Sequence, residues 1–380
     1  MGCQEFLTHI KRGAFLPGGP LAYHGVMPNT KAYAALTAKG PLVPYRITRQ
    51  PPDPDEIEIE ILYCGICHSD LHSIQDDWES TLFPCVPGHE IIGRISRLGA
   101  GVDRFREGEI VGVGCIIGSC GVCPSCEEAL EQYCDQGFLG TFNSPLNETA
   151  HTLGGFSERI VVPAKYALLV HHSRDQLAGA APLLCAGITV YSPLRLWGAG
   201  PGKKVGIVGL GGLGHLAVKF ASAMGAHVVL FSSSEAKLSD ALNLGAHEAC
   251  LSTDKKAMSR YSGALDMVLN TVSASHNLDT YLRLLKRDGT QILVGAPAEP
   301  HASPKVFNLL FRRRRIAGSL IGSIRETQDM LEFSAAHQIT ADIELISISD
   351  VNAAFERLDR NDVRYRFVID MESLRQNDSD

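Results

Sequence analysis

The chain has 380 residues, 45% of them hydrophobic and 20% charged, with a net charge of −7. That length exceeds one ordinary core, and the composition is that of a soluble globular protein of two domains. The acidic balance argues against nucleic acid or an anionic membrane as the main partner, and no stretch approaches the ~20 apolar residues of a bilayer span.

Residues 1–26 show neither an uninterrupted apolar core nor a small-residue cleavage pattern, so they are not read as a secretory signal. Gly2-Cys3 suggests N-acylation, but Phe6 stands where that motif wants Ser or Thr. We read residues 1–26 as a loosely ordered extension, with Met27 an alternative start. The expectation is a cytoplasmic protein, in which thiols stay reduced and clustered cysteines point to metal rather than disulfides.

From about residue 27 to 170 the chain reads as short strands broken by Gly and Pro: "EIEIEIL", "EIIGRISRLG", "EIVGVGC" and "GGFSERIVVPAKYALLV". The first leads into "YCGICHSDLH", residues 63–72. Cys64 and Cys67 have dithiol spacing, and with His68 they match a covalent haem site; a third reading is a metal site completed by distant residues. Haem attachment goes with export, so that reading fits poorly. The dithiol usually opens a helix in a thioredoxin-like unit, and a run that follows an alternating strand meets that context only in part.

Next comes "SCGVCPSCEEALEQYC", with Cys120, Cys123, Cys126 and Cys134 at spacings of three, three and eight. One Zn²⁺ can collect four thiolates from such a lobe, while common Fe–S runs are spaced differently. A site with four cysteines leaves no open position, so it stabilises and does not catalyse.

From about residue 185 the rhythm changes to strand–helix–strand. "KKVGIVGLGGLGHLAVKFASAMGAHVVLFSSS" carries Gly209-Leu210-Gly211-Gly212-Leu213-Gly214 between a strand and a helix starting near His215. There the first glycine permits a tight turn, the second a close approach to pyrophosphate and the third helix–strand packing. The next strand ends in Ser232, Ser233 and Ser234, where an NAD site places a carboxylate. Three hydroxyls plus Lys237 suit a 2′-phosphate, so NADP(H) is expected over NAD(H); Glu235 speaks the other way. A strand "ALDMVLNTV", a helix over 277–289 ("NLDTYLRLLKRDG") and a strand "TQILVGA" repeat the scheme of a parallel doubly wound domain. Arg312 to Arg315 lie between "VFNLLF" and "IAGSLIGS", both strand-like or buried in character, and are read as a solvated or salt-bridged turn. A helix ("RETQDMLEFSAAH"), a strand ("DIELISI"), a helix ("DVNAAFERLDR") and a strand ("YRFVIDM") close the chain.

A second, catalytic metal needs an open position. Outside the lobe the donors are Cys3, Cys64, Cys67, Cys85, Cys115, Cys185, Cys250 and the histidines. His89-Glu90 in "PGHEIIGRISRLGAGV" and Cys185 in "APLLCAGITVYS" stand out. Cys67, His89 and Cys185 together would supply two thiolates, one imidazole and one free position. Cys85, Cys115 and Cys250 are assigned to packing.

"GHE-x2-G-x5-G-x2-V" from Gly88 to Val102, the four-cysteine lobe, "LLCAGIT" and "GLGGLGH" occur in one order. From Met27 to Asp370 the chain resembles the zinc-dependent medium-chain alcohol dehydrogenases, most of all the cinnamyl-alcohol dehydrogenase group and bacterial broad-specificity NADP-dependent aldehyde reductases. The resemblance implies an α/β protein with a GroES-like, mostly β catalytic domain (27–184 and 323–380) and a Rossmann NADP-binding domain (185–322). It implies two zinc ions per chain: a catalytic one on Cys67, His89 and Cys185, and a structural one on Cys120, Cys123, Cys126 and Cys134. Glu90 would stand beside the catalytic metal as a neighbour or transient ligand, and Asp70 would orient His89. Ser69 would contact the alcohol oxygen and start a proton relay ending at His72. Thr189 would touch the nicotinamide, and His68 the cofactor phosphates; Cys64 would be a buried strand thiol. Trp78 and Leu82, with Phe138 and Leu139, would line a pocket for aromatic or medium aliphatic aldehydes and their primary alcohols. A homodimer would form through "IAGSLIGS". Two readings compete: an NAD-dependent alcohol dehydrogenase, and a zinc-independent quinone or enone reductase of the same fold, which should lack Cys67, Cys185 and the lobe.

Overall fold

The computed structural model describes residues 29–297 and 299–376, and the extension read at 1–26 lies outside them. In chain order the strands are β1 (Thr30–Ala35), β2 (Leu42–Ile47), β3 (Glu56–Gly65), β4 (Ile91–Leu98), β5 (Ile110–Val113), β6 (Ile116–Gly118), β7 (Leu139–Gly140), β8 (Arg159–Pro163) and β9 (Leu168–Leu169). There follow β10 (Lys204–Val208), β11 (His227–Ser232), β12 (Glu248–Leu251), β13 (Leu265–Asn270), β14 (Leu285–Leu293), β15 (Arg315–Gly318), β16 (Ile343–Ser347) and β17 (Arg366–Asp370).

The alternation in β3 works as a strand of period two should: Ile57, Ile59 and Ile61 are fully buried while Glu60 reaches the rim. β3 is the hub of a seven-stranded sheet of order β16-β17-β3-β4-β5-β9, with β8 also paired to β3. The pairings β3–β4, β3–β8 and β3–β17 are antiparallel. Its last residues, Cys64 and Gly65, face Ile91 of β4 and Ile369 and Val368 of β17. The segment after β3 and the segment before β4 thus leave the sheet side by side.

The second sheet has six strands in the order β12-β11-β10-β13-β14-β15, every neighbouring pair parallel. This is the doubly wound order, and its near-continuous apolar strands, among them Val205, Ile207, Val228, Val229 and Leu230, are buried.

Two compact units result. One runs to Cys185 and takes in Ser323–Glu332 and the chain from Asp342; the other holds Ala186–Gly322 and Phe333–Ala341. The expected boundaries change in two places. Cys185 belongs to the first unit, with its Sγ 3.9 Å from that of Cys67. Residues 333–341 join the second, because Phe333 packs on Tyr191 and Phe220 and Lys219 Nζ donates to the Thr340 carbonyl at 2.9 Å.

Two local expectations also change. The helix over 277–289 shrinks to Asp279–Leu282, because Leu285 is claimed by β14 and pairs with Leu265 at the sheet core. "VFNLLF" is neither strand nor buried: Val306–Leu310 is a helix, and Val306, Phe307, Leu310 and Phe311 are 60–81% exposed. The arginine run does form a bonded turn, with Arg313 paired to Asp288 and Arg314 donating to the carbonyls of Arg283, Leu285 and Asn308. Among the described residues no single helix is long and apolar enough to cross a membrane; the helices Arg174–Leu184 and Ala186–Leu196 pass that test only as a pair bent by 68°.

Candidate active site and metal clusters

The helix His68–Gln75 starts directly after β3, and Cys67 occupies its N-cap. Asp70, the third helical residue and fully buried, folds back: one carboxylate oxygen accepts from the Cys67 N–H at 2.8 Å. The other accepts from the Gly88 N–H at 2.9 Å and lies 3.1 Å from Nδ1 of His89. One carboxylate therefore fixes both chain segments that leave the sheet here. With Nδ1 engaged by Asp70, Nε2 of His89 is left as the ligand nitrogen.

Cys185 ends the turn Ala181–Leu184 and brings its sulfur to 3.9 Å from Cys67 Sγ. Cys67, His89, Glu90 and Cys185 place one donor atom each within 4.8 Å of one another. Zn–S bonds of about 2.3 Å in a tetrahedron imply a sulfur–sulfur edge of about 3.8 Å, so these residues fit a zinc ion. The electrostatics agree. Hydrogen bonding with the Cys185 thiol holds Cys67 well below the usual thiol range. Cys185 is held well above it by its hydrogen bonds with Cys115 and then Cys67, and by burial; His89 is raised by Asp70 and the thiols against its burial.

Glu90 is wholly buried beside this cluster, and Arg366 of β17 donates to its Oε1. Its Oε2 has no hydrogen-bond partner, and neither has Nε of Arg366. Desolvation pushes the Glu90 carboxyl up to about 7 in spite of the guanidinium. Gly65 makes room for it: a Cβ there would lie 2.0 Å from Glu90 Oε2. Sequence reasoning missed Arg366. The one signal, a charged residue inside the apolar strand "YRFVIDM", is easily taken for a solvent-facing position.

Cys64 plays no part in the cluster. Its thiol is wholly buried between Gly88 and Gly155, and burial raises it well above the ordinary range. That geometry removes both the dithiol and the haem readings. Cys85 is likewise buried and pushed up to about 12. Cys115, assigned to packing, does lie against the cluster: a hydrogen bond from Cys185 lowers it.

Ser69 Oγ is 3.7 Å from Cys67 Sγ. One turn on, His72 is half-buried, with Nδ1 2.7 Å from an Asp77 carboxylate oxygen and its ring 5.4 Å from that of Trp78. His68 is exposed on the same helix. Leu139 forms β7 and packs against Gly118 and the core, and Phe138 beside it is half-buried. The aromatic ring that touches the metal cluster is instead Phe142, stacked on His89 at 5.6 Å.

In the lobe, Cys120 and Cys126 sulfurs lie 3.8 Å apart and those of Cys123 and Cys134 4.0 Å, again tetrahedral edges for zinc. Backbone N–H groups of Cys120 and Asp135 donate to the sulfurs of Cys134 and Cys123 at 3.5 Å. Gly121 takes φ +74°, the left-handed turn that lets the first two cysteines converge. No donor position remains free.

In the second unit Gly209 has φ +90°, and a Cβ on Gly214 would stand 2.1 Å from the Gly209 carbonyl. A Cβ on Gly211 would meet no protein atom, which leaves open space where pyrophosphate is expected. The helix Gly214–Ala223 follows, offering the N–H groups of its first turn; Gly212 and Leu213 lie half-buried before it. Lys237 Nζ donates to the Leu210 carbonyl at 2.9 Å, so the lysine is tied to the glycine loop. Ser232 is buried and accepts from the Ser234 N–H at 3.1 Å, while Ser233 and Glu235 are exposed. Thr189 is buried in the first turn of the helix Ala186–Leu196.

Comparison with known proteins agrees with this geometry. Residues 53–172 match the alcohol dehydrogenase GroES-like domain, and residues 212–336 the zinc-binding dehydrogenase domain. The chain is 57% identical over 345 residues to aldehyde reductase YahK of Escherichia coli, covering 90% of this chain and 99% of that protein. Among solved structures, a cinnamyl alcohol dehydrogenase of Sorghum bicolor has a TM-score of 0.86 at 43% identity, over 90% of this chain and 98% of that one. A Helicobacter pylori counterpart solved with NADP(H) has a TM-score of 0.82 at 38% identity, with the same coverage.

Proposed function

This chain belongs to the zinc-binding alcohol dehydrogenases with a GroES-like domain, and from that premise we propose how its residues share the work. It is an oxidoreductase that interconverts aldehydes and alcohols with NADP(H). Zinc, when bound, supplies a Lewis acid for the substrate oxygen, and the nicotinamide supplies or accepts the hydride.

Cys67, His89 and Cys185 hold the catalytic metal, and Asp70 locks the tautomer and orientation of His89. Ser69 hydrogen-bonds the substrate oxygen and gives it the proton that completes the alcohol. His72, half-exposed and bound to Asp77, passes that proton in from solvent. Glu90, held by Arg366, would stand beside the metal as a neighbour or transient ligand. Cys120, Cys123, Cys126 and Cys134 close around the structural zinc. Gly209 to Gly214 cradle pyrophosphate; Ser232, Ser233, Ser234 and Lys237 take the 2′-phosphate; His68 meets the phosphates and Thr189 the nicotinamide. The observation that carries the reading is the donor set Cys67/His89/Cys185, close enough for one zinc, with the Glu90 carboxylate, tied to Arg366, as a fourth donor within reach.

We further propose aromatic or medium aliphatic aldehydes as substrates, a cytoplasmic location, and a homodimer joined along the free edge of β15. The exposed Phe307, Leu310 and Phe311 just before that strand support the last. The test is NADPH oxidation with benzaldehyde, cinnamaldehyde and butanal, and NADH as control. Turnover with NADPH well above NADH is expected; equal rates would overturn the roles given to the serine loop.

A further inference from the structure

We infer that Phe142 is the specificity-determining residue of the substrate pocket: its ring is the wall against which an aromatic aldehyde lies beside His89. The inference rests on the aldehyde-reductase reading above.

Three observations lead there. First, Phe142 stacks on the metal-site imidazole, ring centroids 5.6 Å apart and planes 22° from parallel. His89 is only 4% exposed, so the phenyl ring covers one of its faces, while Phe142 itself is half-buried and keeps surface for a ligand. Second, the ring is held on a rigid support. The Thr141 N–H donates to the Cys115 carbonyl at 3.1 Å, and the Asn143 N–H to the Thr152 carbonyl at 2.9 Å. The Asn143 side chain, on a backbone with φ +57°, accepts from the Leu82 N–H at 2.8 Å and ties this loop to the one carrying Trp78. A wall fixed on both sides is preorganised for recognition. Third, the neighbours that could compete are engaged elsewhere: Leu139 in β7 against the core, and Trp78 on His72.

A carbonyl group at the open metal position sits next to His89, so the substituent on its carbon comes within reach of Phe142. A flat conjugated substituent gains an aromatic contact there that an alkyl chain does not. Phe142 does not touch the oxygen that gains the proton, so its effect falls on binding more than on turnover.

The test compares wild type, Phe142→Ala and Phe142→Tyr as zinc-loaded enzymes with NADPH. In Phe142→Ala, KM for benzaldehyde should rise about tenfold, while kcat changes little and KM for butanal moves less than about twofold. Phe142→Tyr should behave as wild type. Independently of turnover, the melting-temperature increase given by benzamide with NADPH should vanish in Phe142→Ala and persist in Phe142→Tyr. An equal rise in KM for both aldehydes, an unchanged benzaldehyde KM, or loss of the catalytic zinc from Phe142→Ala would overturn the inference. A wild type inactive on every aldehyde would instead sink the parent reading, and the benzamide shift would still report on Phe142.

Discussion

The two cysteine clusters of the first unit use the same ligand chemistry and are assembled in opposite ways. Cys120, Cys123, Cys126 and Cys134 come from one lobe and need only local turns to meet. Cys67, His89 and Cys185 come from a helix cap, the turn before β4 and the far end of the first unit's longest segment. They converge only when β3 and β4 have paired, and Asp70 then pins two of the three segments. A local site closes on its metal completely and stabilises. A dispersed one can leave a position open, because its geometry is paid for by the fold rather than by the metal.

Variants can break that contrast. The largest effect is expected from Cys123→Ser: the lobe loses its metal and with it folding energy on the order of 10 kcal/mol in that segment. Limited proteolysis should then cut within 119–137 while the catalytic zinc persists; an intact lobe would contradict the assignment. Arg366→Met comes next. It leaves Glu90 buried without its cation, at a cost of about 3 kcal/mol. The metal-free protein gives the sign with pH. A carboxyl already raised to about 7 rises further without Arg366. The charged form is the one penalised, so the stability gap to wild type should be wide at pH 9 and narrow towards pH 6; denaturant melts at both pH values read it.

Asp70→Asn keeps the shape and removes the charge that orients His89. It should weaken metal affinity at the dispersed site by about 10–100-fold and leave the lobe untouched, as competition with a chelator would show. The smallest effect belongs to Cys64→Ser, where the thiol packs between glycines and ligates nothing. Both zinc ions and kcat/KM should survive; loss of either would restore the dithiol reading.

The same contrast governs how much was legible in the sequence. The lobe and the glycine loop are local: spacing and the tasks of Gly209, Gly211 and Gly214 reveal them. Cys67, His89 and Cys185 were legible as a set through the family resemblance, since metal chemistry alone left seven cysteines and the histidines as candidates. Nothing local announces Arg366, which meets Glu90 across 276 residues, or Phe142, whose stacking on His89 depends on loop closure at Leu82 and Thr152. The misread stretches follow suit. Leu285 went to a strand, and Phe333 to the second unit, because tertiary contacts with Leu265, Tyr191 and Phe220 outweighed local periodicity.

The most direct test is zinc per chain by elemental analysis, in wild type and in Cys67→Ser, alongside NADPH-dependent aldehyde reduction. The account predicts about two zinc ions in wild type and about one in Cys67→Ser, with activity lower by more than about a thousandfold. A wild type holding only one zinc, or a Cys67→Ser enzyme that keeps both ions and its activity, would contradict it.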